Sequence, residues 1–190
     1  SIYLVFSFIN FKLIFYFFLI VYFLILCEIY FYFKNFIFLP IIYVLTSLIF
    51  FILIDFNEKI YLDFNLFIFI IIIFDSFSYI FGKLFGNIKL FKISPNKTLE
   101  GFAGGILSSL FLSLFLAYLF KFKIDKYLII FILCIIFFAF LGDIIESFFK
   151  RKNNLKNSSE FLPGHGGIFD RFDSFLFSII FYSISFNYQL

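Results

Sequence analysis

The chain has 190 residues, of which 64% are hydrophobic, and carries a formal net charge of +3. Soluble domains are usually about 45 to 50% apolar, so this composition excludes an ordinary soluble protein and indicates an integral membrane protein. Two cysteines, Cys27 and Cys134, lie in apolar runs, which argues against a disulfide framework or a zinc site. Ser1 opens almost directly into an apolar run without a basic segment, so no cleavable signal peptide is expected.

Apolar runs divide the chain into predicted helices. A hydrocarbon core about 30 Å thick needs roughly 20 residues of helix, and such runs are unlike the alternating strands of membrane barrels. The predicted spans lie at about 11–31, 37–54, 61–81, 101–120, 127–149 and 172–189. We therefore predict an all-α, polytopic transmembrane helix bundle of about six spans, forming a single membrane domain over 1–190.

Basic residues concentrate in two loops. The loops 82–100 and 150–171 hold nine of the 15 Lys and Arg residues. Cytoplasmic loops carry such an excess, and two predicted spans separate these loops, so both are expected on the same side, at one cytoplasm-facing site. Three lysines in the intervening loop weigh against this orientation: Lys121, Lys123 and Lys126.

The first polar stretch runs from Asp75 to Gly105 and contains a short polar turn ahead of a predicted helix. In this turn Thr98 is placed to cap the helix, and Lys97 brings a cation near free backbone N–H groups, which favours binding of an anion. The alternative is an ordinary interfacial turn with a snorkelling lysine. The GxxxxGK[ST] pattern is absent, so the turn is not a P-loop.

The second polar stretch, 142–174, begins inside the end of an apolar segment. Asp143 and Glu146 lie there, where a carboxylate is unfavourable unless it faces protein, water or a cation. Helical spacing places Ser147 and Lys150 on the same face. One helix face therefore carries two carboxylates followed by a hydroxyl group and an ammonium group, which predicts a functional site.

The rest of this stretch adds cations, a glycine-rich turn and two more acids. The turn reads Gly-His-Gly-Gly over 164–167, and Asp170 and Asp173 follow it at a spacing of three residues. The pattern suits carboxylates that bind a metal and bases that bind phosphates. The alternative is that Asp143 ends a helix and Asp170 caps one, each paired with a nearby Lys or Arg.

Taken together, the two stretches resemble the phosphatidate cytidylyltransferase (CDP-diacylglycerol synthase) family. The family signature is Ser, two residues, Lys-Arg, four residues, Lys-Asp, then Pro-Gly-His-Gly-Gly and Asp-Arg-x-Asp. This chain has Ser147, Lys150, Arg151, Lys156, Asn157, Pro163, Gly164, His165, Gly166, Gly167, Asp170, Arg171 and Asp173. Upstream it has Asp75, Tyr79, Gly82, Lys83, Phe85, Gly86 and the run SPNKTLEG over 94–101, where the family has S-P-x-K-T-x-E-G.

The resemblance covers about 70–186, whereas 1–60 match only in being apolar. Asn157 stands where the family usually has Asp, which puts full activity in question. The chain is also shorter than is usual for the family, which predicts missing spans.

The resemblance implies condensation of CTP with phosphatidate to CDP-diacylglycerol and diphosphate, with Mg²⁺ as cofactor and a second cation left open. Implied catalytic residues are Asp143, Asp170, Lys150 and Arg151; implied metal ligands are Asp143 and Asp170, with Glu146 and Asp173 as additional ligands. Implied substrate-binding residues are Ser94, Lys97, Thr98, Lys156, His165 and Arg171. The expected partners are CTP, phosphatidate, membrane lipids and a second copy in a homodimer, with no nucleic acid, in a bacterial-type inner membrane with the site facing the cytoplasm.

Other functions stay open at this point. A transporter or an ion-pathway protein would explain buried acids but not a glycine-histidine turn beside a basic cluster. A CTP-dependent lipid kinase, a cytidylyltransferase for another lipid phosphate and an inactive descendant are closer alternatives. The phosphatidyltransferases that consume CDP-lipids are disfavoured because their D-G-x-x-A-R pattern is absent.

Overall fold

The computed structural model describes residues 11–54, 61–91, 94, 97–160 and 166–187. Within these ranges six helices follow one another: α1 (Phe11–Tyr32), α2 (Phe38–Ile52), α3 (Tyr61–Phe85), α4 (Leu99–Leu119), α5 (Lys126–Lys152) and α6 (Phe169–Asn187). Strand-like pairing over the described ranges is limited to one isolated bridge between Lys89 and Thr98. Cys27 and Cys134 are both free. The predicted all-α fold is confirmed, and each predicted span overlaps one helix.

Four of these helices, α1, α3, α4 and α5, are long and apolar enough to cross a membrane. The 15 residues of α2 extend only about 22 Å at a helical rise of 1.5 Å per residue, less than the hydrocarbon thickness of about 30 Å. Helix α6 carries three charged residues near its start: Asp170, Arg171 and Asp173. Within the described part of the chain, the structure thus shows a membrane protein with four candidate spans, fewer than the six predicted.

An aromatic core holds α6 against the first three helices. Phe175 of α6 stacks on Phe18 of α1 with ring centroids 4.6 Å apart. Phe67 of α3 and Phe51 of α2 lie 5.9 and 6.5 Å from the same ring. All four side chains are buried, and aromatic pairs at these separations stabilise packing beyond the area they bury. The core therefore fixes the position of α6, which carries two acids of the second polar stretch.

Glycines let α3 and α4 pack with their backbones in contact. A Cβ on Gly101 of α4 would lie 2.6 Å from the carbonyl oxygen of Ser78 and 3.0 Å from Cα of Gly82, so only glycine fits this approach. Thr98 caps α4, as predicted, because its hydroxyl accepts the N–H of Gly101 at 3.2 Å. This packing places the polar turn before α4 beside the C-terminal half of α3.

Candidate active site

A cavity of about 650 Å³ lies where the C-terminal parts of α3 and α5 meet the N-terminal ends of α4 and α6. Ten of the predicted site residues line it: Ser94, Lys97, Thr98, Asp143, Lys150, Arg151, Lys156, Asp170, Arg171 and Asp173. Glu146 is buried behind this wall, and His165 lies outside the described residues. The two polar stretches, separated by two helices in sequence, therefore share one cavity.

Three carboxylates converge at one side of this cavity. Asp143, Glu146 and Asp173 each offer an oxygen atom, and these atoms all lie within 4.8 Å of one another. Asp143 and Glu146 share a face of α5 because they are three residues apart. Asp173 reaches them from α6, which approaches closely because Gly142 faces the Asp173 backbone without a side chain. Like charges so close repel one another, and a positive charge or a proton between them would relieve that repulsion.

Asp75 of α3 is a fourth acid in the same cavity, and it has no role predicted from the sequence. Its Oδ1 accepts a hydrogen bond from the hydroxyl of Ser174, the residue after Asp173, at 3.0 Å. The criterion that singled out Asp143, a carboxylate within an apolar run, applies equally to Asp75. The sequence could therefore have predicted Asp75 as a site residue by the same criterion.

Lys97 supplies one cation to the cluster. Its Nζ forms an ion pair with Asp143 Oδ2 and also lies 4.7 Å from the ring centre of Phe140. A lysine over an aromatic face is stabilised by the ring quadrupole. Lys97 thus bridges the turn before α4 to the acidic face of α5, in the cavity where an anion was predicted to bind.

Lys150 supplies a second cation, between two acids. Its Nζ lies 2.5 Å from Glu146 Oε2 and 2.6 Å from Asp170 Oδ1. Glu146 is fully buried, and the Lys150 side chain is only 13% exposed. Because a buried carboxylate is strongly unfavourable without a partner, Lys150 is needed to keep both acids in place.

Asp170 is held by the turn that precedes α6 as well as by Lys150. Its Oδ2 accepts the N–H groups of Ser158 and Gly167, each at 2.9 Å. Burial acts to raise the pKa of Asp170, but the side chains of Glu146 and Lys150 and the N–H of Gly167 outweigh it and lower that pKa to about 2. Asp170 therefore stays ionised at any neutral pH.

The structure groups the acids differently from the predicted pair of metal ligands, Asp143 and Asp170. Among the residues that the structure describes, Asp143 shares its potential ion site with Glu146 and Asp173, while the Asp170 carboxylate contacts Lys150 and two backbone N–H groups. That Asp143 and Asp170 bind one cation stays a prediction.

The remaining cations surround the open part of the cavity. Lys156 and Arg171 line it, and Arg151 also donates from Nη1 to the carbonyl oxygen of Leu155 at 3.0 Å, closing the end of α5. Ser94 and Thr98 also line the cavity. Positive side chains and hydroxyl groups lining one cavity suit a polyanionic ligand with several phosphate groups.

Comparison with known proteins gives two findings. The model of the Cytidylyltransferase family matches residues 2–189. The chain is also 48% identical to phosphatidate cytidylyltransferases of Staphylococcus haemolyticus (strain JCSC1435) and Staphylococcus aureus (strain COL), and 50% identical to that of Staphylococcus saprophyticus subsp. saprophyticus. Each alignment covers 105 residues, which is 54% of this chain and 40% of the relative. The chain thus matches less than half of the length of these relatives.

Proposed function

This chain belongs to the cytidylyltransferase family, and on that premise we propose that it transfers the cytidylyl group of CTP to phosphatidate, forming CDP-diacylglycerol and diphosphate. The observation that carries the proposal is the single cavity, beside candidate membrane spans, in which clustered carboxylates face Lys and Arg side chains. A reaction between a lipid phosphate and a nucleotide needs all of these features together.

The proposed reaction joins two polyanions. An oxygen of the phosphatidate phosphate forms a bond to the α-phosphorus of CTP, while the bond from that phosphorus to the bridging oxygen breaks and diphosphate leaves. The attacking phosphate is already ionised at neutral pH, so no strong general base is required. Catalysis then depends on alignment and on neutralisation of charge, as in other phosphoryl transfers.

The cationic side chains of the cavity are suited to both tasks. Arg151 and Arg171 can bind a phosphate through two parallel N–H groups, whereas Lys156 acts as a point charge. Lys97 pairs with Asp143, so in the proposed complex it would pass from this carboxylate to a phosphate of CTP. The role of His165 as a phosphate or base contact stays a prediction.

The carboxylates fit a divalent cation. Mg²⁺ prefers carboxylate oxygens together with substrate phosphates and retained waters, and oxygens of Asp143, Glu146 and Asp173 lie within 4.8 Å of one another. These three residues would hold the ion, with Asp75 as a fourth acid of the same cavity. When bound, the ion would neutralise charge that develops on the phosphates. Dependence on Mg²⁺, and a second cation, are parts of this proposal.

The location of the cavity supports a site at the membrane interface. Lys150, Arg151 and Lys152 end the long apolar helix α5, and the basic loops favour the cytoplasmic side of a bacterial-type inner membrane. Phosphatidate would enter from the bilayer while CTP arrives from water. A homodimer stays a prediction.

The decisive experiment uses CTP labelled at two positions. The purified chain is incubated with phosphatidate, Mg²⁺ and CTP carrying ³²P at either the α or the γ position, and label is followed into the lipid phase. Cytidylyl transfer predicts that α label enters lipid and γ label appears in diphosphate.

Each rival function predicts a different distribution of label. A lipid kinase would place γ label in lipid, and a transporter would leave all label in water. Either result would refute the proposed reaction. Replacing phosphatidate with another lipid phosphate separates the two cytidylyltransferase alternatives.

A further inference from the structure

Glu28 is a buried carboxylate about one turn before the C-terminal end of α1, a helix whose other charged residue is Lys12 at its start. Its side chain is only 2% exposed. A negative charge toward the C-terminal end of a helix gains nothing from the helix dipole, because the carbonyl end of that dipole is negative. The position of Glu28 is therefore explained by what it contacts on another helix.

The Glu28 carboxylate binds the start of α6. Its Oε2 accepts the N–H of Ile168 at 2.8 Å and the N–H of Phe169 at 3.2 Å, across 140 residues of sequence. The first N–H groups of a helix have no partner within the helix, and the positive end of the dipole favours an anion there. Phe33, just after α1, also packs its ring 6.1 Å from that of Phe169.

The turn before α6 is shaped to admit this carboxylate. A Cβ on Gly167 would collide with Glu28 Oε1 and with the buried hydroxyl of Ser158. The N–H of the same glycine donates to Asp170 at 2.9 Å. Glu28 on one side and Asp170 on the other therefore hold a single short segment of backbone.

α1 lies close to the site without lining it. Over the described residues, the cavity wall is built from positions 74 to 174 and includes none of α1. Asp170 and Asp173 both follow the two N–H groups that Glu28 binds, within about one and a half helical turns. A displacement of this first turn would carry both acids away from their partners on α5.

We propose that Glu28 is a positioning residue: its carboxylate holds the first turn of α6 so that Asp170 and Asp173 face the acids and lysines of α5. The kinetic consequence of this inference rests on the proposed function, whereas the contact between Glu28 and α6 does not. Glu28 lies in the N-terminal part of the chain, outside the range that the family resemblance covers, so the resemblance gives it no role.

The test compares Glu28→Leu, which removes the acceptor, with Glu28→Gln, which keeps a neutral acceptor of similar shape. Turnover is measured per folded protein in detergent, with KM for CTP and for phosphatidate. Because a misplaced group lowers the rate of the chemical step more than it weakens binding, we expect Glu28→Leu to lower kcat at least about tenfold with each KM within about threefold. Glu28→Gln should lose less, on the order of threefold, since charged hydrogen bonds are roughly twice as strong as neutral ones.

A second readout does not depend on activity. Backbone amide exchange in peptides covering 166–172 should be faster in Glu28→Leu than in the wild type, and intermediate in Glu28→Gln. Ser47→Ala is the matched control, because it removes another buried hydrogen bond of α1, the 2.6 Å contact between Tyr22 and Ser47. That control should lower thermal stability but leave kcat and exchange over 166–172 unchanged.

The outcomes separate this inference from the proposed function. Faster exchange with lower kcat supports the positioning role, whereas unchanged exchange, or faster exchange with unchanged kcat, overturns it. If the wild type does not convert CTP and phosphatidate but exchange is still faster in Glu28→Leu, the proposed function fails and the hold of Glu28 on α6 stands. If Glu28→Leu does not fold, exchange in Glu28→Gln decides: faster than wild type supports the role, and equal to wild type overturns it.

Discussion

Gly142→Ala is expected to separate the two helices that carry the acids of the site. A Cβ at this position would contact the carbonyl oxygen of Asp173, 3.2 Å from its carbonyl carbon, and would lie 3.1 Å from Cβ of Phe177. Ordinary contacts lie at 3.4–4 Å, and a backbone carbonyl cannot rotate away as a side chain can. Helices α5 and α6 must therefore move apart, by up to roughly 1 Å, at the position where Asp143 and Asp173 face each other.

A misplacement of about 1 Å in a catalytic group lowers the rate on the order of 100-fold, which corresponds to about 2.7 kcal/mol of transition-state stabilisation. We expect a fall of this size in kcat for transfer of α label from CTP to lipid. The KM for CTP should change much less, because the proposed CTP contacts Lys97 and Thr98 belong to the turn before α4 and not to α5 or α6.

Gly104→Ala provides the matched control. Its Cβ would meet the Cβ and Cγ atoms of Phe81 across the packing of α3 with α4, so the strain falls on a helix pair that carries none of the clustered acids Asp143, Glu146 and Asp173. It should lower the melting temperature yet leave kcat per folded protein within a few-fold of the wild type. The reasoning is refuted if Gly142→Ala keeps wild-type kcat, or if the two variants lose activity equally.

Three further predictions concern individual side chains of the site. Asp173→Asn should abolish turnover while the protein still inserts into membranes, because one of three clustered carboxylates is neutralised; activity near the wild-type level would remove Asp173 from the site. Lys150→Met leaves two acids without their shared cation and should lower the free energy of unfolding by about 3 to 5 kcal/mol, measured by denaturant titration in detergent. The pKa of Asp170 is lowered to about 2, so its contribution to stability should be complete above about pH 4 and lost as pH falls toward 2. Melting temperatures over that range should fall less steeply in Asp170→Asn, and equal slopes would contradict the assignment.

The sequence predicted the helices because long apolar runs leave a chain in lipid almost no other structure. The number of membrane spans was harder to predict, because an apolar run can form a helix that is shorter than the membrane is thick. The apolar run at 37–54 forms a helix of only 15 residues, Phe38–Ile52, and charged residues occupy the start of α6. A long apolar run therefore predicts where a helix forms more firmly than whether that helix crosses the bilayer.

The site was predictable where its residues are close in sequence. Spacing places Asp143, Glu146 and Lys150 on one helix face. In the structure Glu146 lies close to Asp143 and forms an ion pair with Lys150. Pairing between distant helices was not predictable in this way. Nothing in local spacing shows that Asp173, rather than Asp170, lies within reach of Asp143, or that Glu28 binds backbone N–H groups 140 residues later.

The central proposal is that carboxylates from α5 and α6 together bind a divalent cation. Titration of the purified chain with Mn²⁺, followed by electron paramagnetic resonance, tests this claim without requiring turnover. Asp125→Asn serves as the control, because Asp125 caps the opposite end of α5. We predict saturable binding in the wild type and in Asp125→Asn, with affinity at least about tenfold weaker in Asp143→Asn and in Asp173→Asn. Equal affinity in all four proteins would contradict the account.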